Sequence, residues 1–349
     1  MNDRLIDPNL QEDDSNMDLS LRPTQLKQFV GQENVINNLD IAIKSSKIRK
    51  EPIEHVMLYG PPGLGKTTLA YIIAKELGVN IKISSGPSIE RSGDMAAILT
   101  GLEENDVLFI DEVHRLNRNV EEVLYPAMED FNLSWMMGKG MGAKSINLQI
   151  NKFSLISATT RYSMVSAPLR DRFGIIGRLN FYEEKDMALI LERSAKILGL
   201  KINEKLLKEI AKRTRGTPRV SNRLLRRIRD YALVKNKGVI TDNIVLDCLD
   251  MLQVDTKGLD QIDNKLLESL IKKFNGGPVG LDTLAASINE DSDTVMDVCE
   301  PYLLQQGFLD RSARGRKATK LAYSHLGLEM PENNANDKQE GIQRSLIDE

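Results

Sequence analysis

The chain is short of several things that many functions need. Its 349 residues hold two cysteines, Cys248 and Cys299, and three histidines, His55, His114 and His325, spread far apart. Two thiols in apolar helical patterns read as buried and reduced, which excludes a disulfide framework. Three scattered histidines offer no spacing for a metal-ligand cluster or a Ser/His/Asp arrangement. No apolar run approaches the roughly 20 residues that span a bilayer, and the acidic N-terminus is unlike a secretory signal, so no membrane is involved and a cytoplasmic protein is expected. Net charge is small too, at −3. That value hides an asymmetry: residues 1–20 carry −5 and residues 329–349 carry −4, so the stretch between them carries +6. A mildly basic folded part permits a polyanionic partner without proving one.

What is present is concentrated in Gly60-Pro61-Pro62-Gly63-Leu64-Gly65-Lys66-Thr67, directly after the apolar run His55-Val56-Met57-Leu58-Tyr59. A strand should feed a glycine turn that opens a helix, a phosphate-binding loop in its proper context. Backbone N–H groups of Gly63, Leu64 and Gly65 converge on phosphates, and the helix start adds the positive end of its dipole. Lys66 is expected to reach the β- and γ-phosphates and Thr67 to ligate Mg²⁺, with Thr68 beside it. A plain glycine-rich turn would leave the Lys-Thr pair unexplained. ATP and Mg²⁺ are therefore the expected cofactors, and Mg²⁺ the only metal.

The second half of such a site is a carboxylate at the end of a buried strand, and Val107-Leu108-Phe109-Ile110 followed by Asp111-Glu112 supplies it. Asp111 is the candidate for the Mg²⁺ shell and Glu112 for orienting the attacking water. A third strand, Phe153 to Ala158, ends in Thr159 and Thr160, either of which suits a polar sensor of the γ-phosphate. Arg170 and Arg172 follow on a turn; an arginine there could act across a subunit boundary, whereas a surface Arg–Asp pair would be worth little. Arg219 follows Pro218 at a helix start, where a cation gains nothing from the dipole and a nucleotide phosphate would resolve the conflict. Eight basic residues and no acid lie between Lys212 and Arg229; those on the helix could equally be a solvated face.

Strand-like runs alternating with helices over residues 21–182 imply an α/β domain with a parallel sheet covered on both faces. Residues 183–255 read as helices only, a small helical lid domain. Residues 256–328 read as three helices and a basic hairpin, a C-terminal winged-helix domain used mainly on DNA. Residues 1–20 and 329–349 read as a disordered acidic arm and tail. Residues 132–150, with Trp135, Met136 and Met137 before a glycine turn, read as an inserted hairpin with an apolar, protein-docking surface.

Taken in order, these blocks resemble the RuvB family, the bacterial Holliday-junction branch-migration motors of the AAA+ class. The resemblance runs from about Leu21 to Leu328 and includes Leu108-Phe109-Ile110-Asp111-Glu112-Val113-His114-Arg115, Glu122 to Asp130, Ala158-Thr159-Thr160-Arg161, Leu169-Arg170-Asp171-Arg172-Phe173-Gly174, Gly216-Thr217-Pro218-Arg219 and Gly276 to Asp282. It implies a homohexameric ring that hydrolyses ATP to pull duplex DNA at Holliday junctions in recombination and repair, acting with RuvA and RuvC. It implies Arg172 as the arginine finger, Arg219 as second sensor and Thr160 as first sensor. It also implies Leu21, Arg22 and Tyr182 around adenine, and Glu129, Asp130 and Phe131 at the nucleotide. Ile146 and Leu148 match positions that dock RuvA, and Arg311 and Arg316 match wing residues that contact DNA.

The sequence departs from the family at the wing, where Ser312-Ala313 replaces the usual Thr-Pro, and in the hairpin side chains Trp135, Met137 and Met141. Glu290, Asp291 and Asp293 would repel phosphates near the third helix of the head, which puts DNA binding on the wing. A clamp-loader or replication-initiator switch uses the same module and is the competing reading. An unfoldase is disfavoured, since no aromatic–apolar–glycine pore loop lies between Gly86 and Asp94.

Overall fold

The computed structural model describes residues 20–137 and 144–331, and of residues 134–137 and 144–146 only the backbone. The expected acidic arm, most of the tail and the hairpin's glycine turn lie outside the described residues. Contacts gather the described chain into two compact units, one of residues 20–208 with 216–222, the other of residues 209–215 with 223–331.

In the first unit, β1 (Val56–Tyr59), β2 (Ile81–Ser85), β3 (Val107–Asp111), β6 (Ser154–Thr159) and β7 (Ile175–Arg178) form a five-stranded sheet ordered β2-β3-β6-β1-β7. Every pairing is parallel. Strands buried on both faces read as continuous apolar runs, and β3 follows that rule with Val107, Leu108, Phe109 and Ile110 all buried. A leucine at such a place, Leu58 for example, contributes about 2–5 kcal/mol over alanine. The sheet is crossed by α1 (Glu33–Arg49), α2 (Lys66–Leu77), α3 (Ser92–Thr100), α4 (Arg118–Asp130) and the single turn α5 (Ala167–Arg170), with α6 (Glu184–Ile197) after β7. Leu124, Leu133, Phe153, Leu155 and Leu169 pack with Met57 and Leu108 into one core.

The remaining helices are α7 (Glu204–Ala211), α8 (Pro218–Asn236), α9 (Asp242–Met251), α10 (Gln261–Lys272), α11 (Leu281–Ile288), α12 (Ser292–Thr294), α13 (Glu300–Gln305) and α14 (Lys320–His325). The division into units runs through α7 and α8. Before α14 the second unit carries the ribbon β8 (Leu309–Ser312) and β9 (Gly315–Ala318), whose register joins Ser312 to Gly315 across a two-residue turn. Its core gathers Leu266, Leu270, Leu284, Leu303 and Phe308. Asp260 caps α10 in a box with Asp263, which fixes where the head's first helix begins.

Gly277 and Gly315 are packing requirements. Val279 and Arg316 exchange backbone hydrogen bonds at 3.0 and 2.8 Å, so this segment lies along β9. A Cβ on Gly277 would stand 2.3 Å from the Arg316 carbonyl, and one on Gly315 would stand 2.2 Å from the Val279 carbonyl. Neither site has room for a side chain.

Two differences from the sequence reading concern geometry. The strand β7 carries an exposed Ile176 and a central glycine, both weak strand signals. Gly177 is there because a Cβ would meet Val35 at 3.0 Å and Leu58 at 3.1 Å. The helix expected from Asp291 is interrupted by a π-helical turn over Val295–Cys299 before α13, a register change that apolar spacing does not reveal.

His55 ties three elements of the first unit together. Its Nδ1 accepts from the Leu155 N–H at 2.8 Å and its Nε2 donates to the Met128 carbonyl at 3.1 Å. Burial holds its pKa below the ordinary 6.5, against the opposing pull of the Met128 carbonyl and Glu54. The unfolded chain therefore takes up a proton before the folded one does. Stability from this group is present above about 6.5 and is lost as pH falls from there through the folded-state value. The urea midpoint of the wild type should fall more steeply between pH 7 and pH 5 than that of His55→Gln, which does not titrate; parallel slopes would contradict this.

Candidate active site

The C-terminal ends of β1, β3 and β6 meet along one edge of the sheet, where ligands of open parallel sheets bind. The loop leaving β1 turns on Gly60, Gly63 and Gly65, all at positive φ. Gly60 is required by close approach, since a Cβ there would stand 2.3 Å from the Leu179 carbonyl. Lys66 opens α2 and is 7 % exposed. Its ammonium donates to the carbonyls of Gly60 and Pro61, both at 2.8 Å. Burial pulls its pKa down to about 8, with the Asp111 carboxylate opposing and the Arg219 guanidinium adding to the fall. Two carbonyls cannot neutralise a buried ammonium, so the loop is short of negative charge.

The neighbours are placed to use that deficit. Thr67 Oγ1 donates to Asp111 Oδ2 at 3.4 Å, and Asp111 Oδ1 accepts from the Glu112 N–H at 2.9 Å. Glu112 sits at φ 49°, ψ 43°, a left-handed conformation that costs a non-glycine residue about 1–2 kcal/mol. Gly86 makes room for it, since a Cβ there would stand 2.3 Å from the Glu112 carbonyl. The Glu112 side chain is half-exposed and paired with Arg115 at 3.2 Å. The Thr159 carbonyl accepts from the Gly60 N–H at 3.2 Å, so Thr160, exposed just past β6, stands beside the phosphate loop. Thr159 itself is buried and bonded to His114 at 2.9 Å.

The wall beside the loop is apolar. Tyr182 is buried, donates to the Leu64 carbonyl at 3.1 Å, and takes a backbone bond from its N–H to the Gly216 carbonyl at 2.9 Å. Burial raises its phenol pKa and keeps it neutral. Phe29 lies 3.0 Å from where a Gly65 Cβ would be. Leu21 is buried, and Arg22 lies 6.0 Å over Tyr71. Arg193 of α6 clamps this N-terminal segment through the carbonyls of Leu21 and Gln28, at 2.7 and 3.1 Å.

A second group stands at the opposite edge. Met128, beside Glu129, Asp130 and Phe131, bonds His55 at the start of β1, and Ile175, just after Arg172-Phe173-Gly174, donates to the His55 carbonyl at 3.2 Å. Arg172 is ion-paired with Glu129 at 3.1 Å. The whole four-residue length of β1, about 13 Å at 3.3 Å per residue, separates His55 from the phosphate loop. The structure thus brings Lys66, Thr67, Asp111, Thr160, Tyr182 and Arg219 together, but keeps Glu129, Asp130, Phe131 and Arg172 at the far edge.

Family models match the chain along most of its length: the Holliday junction DNA helicase RuvB P-loop domain at residues 21–179, the RuvB AAA lid domain at 182–255 and the RuvB C-terminal winged helix domain at 256–327. The chain belongs to the RuvB family. It is 59 % identical over 340 residues to the Holliday junction branch migration complex subunit RuvB of Dehalococcoides mccartyi, covering 97 % of each chain. A solved structure, the Thermotoga maritima RuvB Holliday junction branch migration motor, is 49 % identical, with a TM-score of 0.81 over 89 % of this chain and all of that one. A lysine-to-arginine mutant of the same protein gives a TM-score of 0.82. As a RuvB-family member the chain is a P-loop ATPase and a branch-migration motor.

Of the two wing arginines expected to contact DNA, the structure shows the surroundings of each. Arg316 is not an exposed wing cation: it is 8 % exposed, and its Nε and Nη2 donate to both carboxylate oxygens of Glu300, at 3.1 and 2.8 Å. A guanidinium satisfied by a buried bidentate carboxylate has little left for a phosphate. Arg311 and Arg314 are exposed on the ribbon, and Arg311 Nε is 4.0 Å from Glu300. The basic run after Lys212 is partly buried, and on α8 the solvated face that the sequence left open does not include Arg223. Arg213, Arg215 and Arg223 are buried, with Arg215 paired to Asp263 and donating to the Gly258 carbonyl at 2.8 Å.

The inserted ribbon β4 (Asn132–Met137) and β5 (Lys144–Gln149) is antiparallel and separate from the main sheet. Leu148 is half-exposed; the side chains of Ile146, Trp135 and Met137 and the residue Met141 lie outside what is described. No helix among the described residues is long and apolar enough to cross a membrane, and they contain no group of three or more His, Cys, Asp and Glu that could hold a metal. Cys248 and Cys299 are both buried and not joined in a disulfide.

Sequence reasoning missed Arg193, Phe29, the His114–Thr159 pair and Glu300. None belongs to a short motif, and each meets its partner only through the fold. Glu300→Gln should strand a buried charge and destabilise the winged helix by about 3–5 kcal/mol, whereas Glu300→Met combined with Arg316→Met should recover most of it. Urea unfolding followed by circular dichroism checks this; equal midpoints for Glu300→Gln and the wild type would reject the buried pair.

Proposed function

We propose that this chain works as an ATP-driven DNA translocase in a homohexameric ring, driving branch migration of Holliday junctions in recombination and repair together with RuvA and RuvC. The observation that carries the reading is the division of the site between two sheet edges. Arg172 cannot reach the phosphates bound by its own Lys66, so it serves the nucleotide of a neighbouring subunit, along with Glu129, Asp130 and Phe131. An arginine delivered in this way is worth about 10³–10⁵ in rate in phosphoryl-transfer enzymes.

In each site Lys66 and the loop N–H groups hold the phosphates, and Leu21, Arg22 and Tyr182 border the adenine. Thr67 and Asp111 are oxygen donors 3.4 Å apart, a pair that fits Mg²⁺. When bound, the ion would neutralise phosphate charge as the γ-phosphoryl leaves. Glu112 orients the attacking water, Thr160 reads the γ-phosphate, and Arg219 responds to its loss. Residues 21–182 form the motor, residues 183–255 its lid and residues 256–328 the DNA-binding head. Arg311, helped by Arg314, meets DNA phosphates, while Arg316 holds the wing in shape through Glu300. The ribbon of residues 132–150 docks RuvA through Ile146 and Leu148. The absence of a spanning helix among the described residues suits work in the cytoplasm.

Conversion of a synthetic four-way junction into duplex products, with and without RuvA, tests the reading. Conversion should require ATP and RuvA and should disappear in Lys66→Ala. ATP turnover without conversion, RuvA being present, would instead favour a clamp-loader or initiator switch.

A further inference from the structure

Arg172 is held by three contacts within its own chain. Its Cζ lies 4.4 Å over the Tyr125 ring, its Nη1 donates to the Pro168 carbonyl at 2.6 Å, and its Nη2 pairs with Glu129 at 3.1 Å. Glu129 is 54 % exposed at its side chain, so its share of the restraint is solvent-screened. The ring is the firmer platform, because a planar guanidinium stacks on an aromatic face without needing a matched carboxylate.

The platform is itself locked. The Tyr125 hydroxyl donates to Glu121 Oε2 at 2.9 Å, and the Ser166 hydroxyl donates to the same oxygen at 2.6 Å. Ser166 also caps α5, the turn leading to Arg172, by accepting from the Leu169 N–H at 3.3 Å. Glu121 is 7 % exposed and forms no ion pair among the described residues. A buried carboxylate satisfied only by two hydroxyls is costly to keep. Burial foremost, with Glu121 adding to it, raises the Tyr125 pKa, so the phenol keeps its proton and remains a donor.

We infer that Tyr125 and Glu121 are positioning residues for the arginine finger: the ring carries Arg172, and the buried carboxylate fixes both the ring and the cap of the turn that presents the finger. This rests on the reading that Arg172 acts on a neighbouring subunit. Apolar spacing along α4 would class Tyr125 as one more core aromatic. Its use as a platform follows from α5 returning over it.

Three variants and one mixing experiment test the inference. Misplacing a reacting group by about 1 Å can cost on the order of 10²-fold in rate. Tyr125→Leu should therefore lower kcat for ATP by about that factor and leave KM and nucleotide affinity unchanged. Tyr125→Phe, which keeps the ring, should retain most of kcat, and Glu121→Gln should fall between the two. Mixing Tyr125→Leu with Glu112→Gln subunits should restore turnover, because sites that pair an intact Glu112 with an intact finger then form. Arg172→Ala mixed with Glu112→Gln is the control. If the control recovers but Tyr125→Leu turns over like the wild type, or fails to recover on mixing, the platform is rejected and catalysis across subunits stands. If the control itself fails, the trans reading falls and the inference with it. Should Tyr125→Leu not fold, an unchanged kcat in Glu121→Gln would overturn the proposal.

Discussion

An ammonium buried against two carbonyl oxygens is the constraint on which the rest of this site depends. Lys66 is almost out of solvent, and its partners, Gly60 and Pro61, carry only partial charge. The lowered pKa records the cost. A triphosphate supplies the missing negative charge at the one place where a turn, a helix start and the buried strand β1 converge. The glycines of the loop follow from this geometry. Gly60 must let the chain pass the Leu179 carbonyl, and Gly65 must present a helix N-terminus against Phe29.

The same strand holds the two halves of the proposed site apart. β1 leads into the phosphate loop and follows His55, whose ring nitrogens and backbone carbonyl bind α4, β6 and β7. That hub carries Glu129 and Arg172 on the edge away from the loop. β1, buried at Val56, Met57 and Leu58, thus lies between the phosphate loop and Arg172, which the ring proposed above would bring together from neighbouring subunits.

The motor was legible in the sequence because phosphate chemistry demands fixed residues at fixed spacing. Gly60 to Thr67 after an apolar run, and Asp111-Glu112 after another, leave few alternatives, and β1 falls within the apolar run His55 to Tyr59. The hidden parts depend on long-range contacts. β7 was obscured because Gly177 and Ile176 answer to α1 and to solvent rather than to strand propensity. The pairing of Arg316 with Glu300, sixteen positions earlier, was likewise invisible, since a basic hairpin pattern does not show which of its cations is buried against a carboxylate. The burial of Arg213, Arg215 and Arg223 was not legible for the same reason, since a run of charge has no sign of burial until its partners, such as Asp263 and Gly258 for Arg215, are known.

The most direct test of the account is the pH dependence of ATP affinity, measured by calorimetry between pH 7.5 and 9 in buffers of different ionisation enthalpy. With Lys66 at about 8 before binding, affinity should fall as pH rises above 8, with uptake approaching about one proton per ATP by pH 9. Lys66→Met should abolish that uptake. Affinity that stays flat through pH 9, with no proton taken up, would mean that Lys66 is fully charged before ATP arrives and that the buried, under-neutralised ammonium is not what the site is built on.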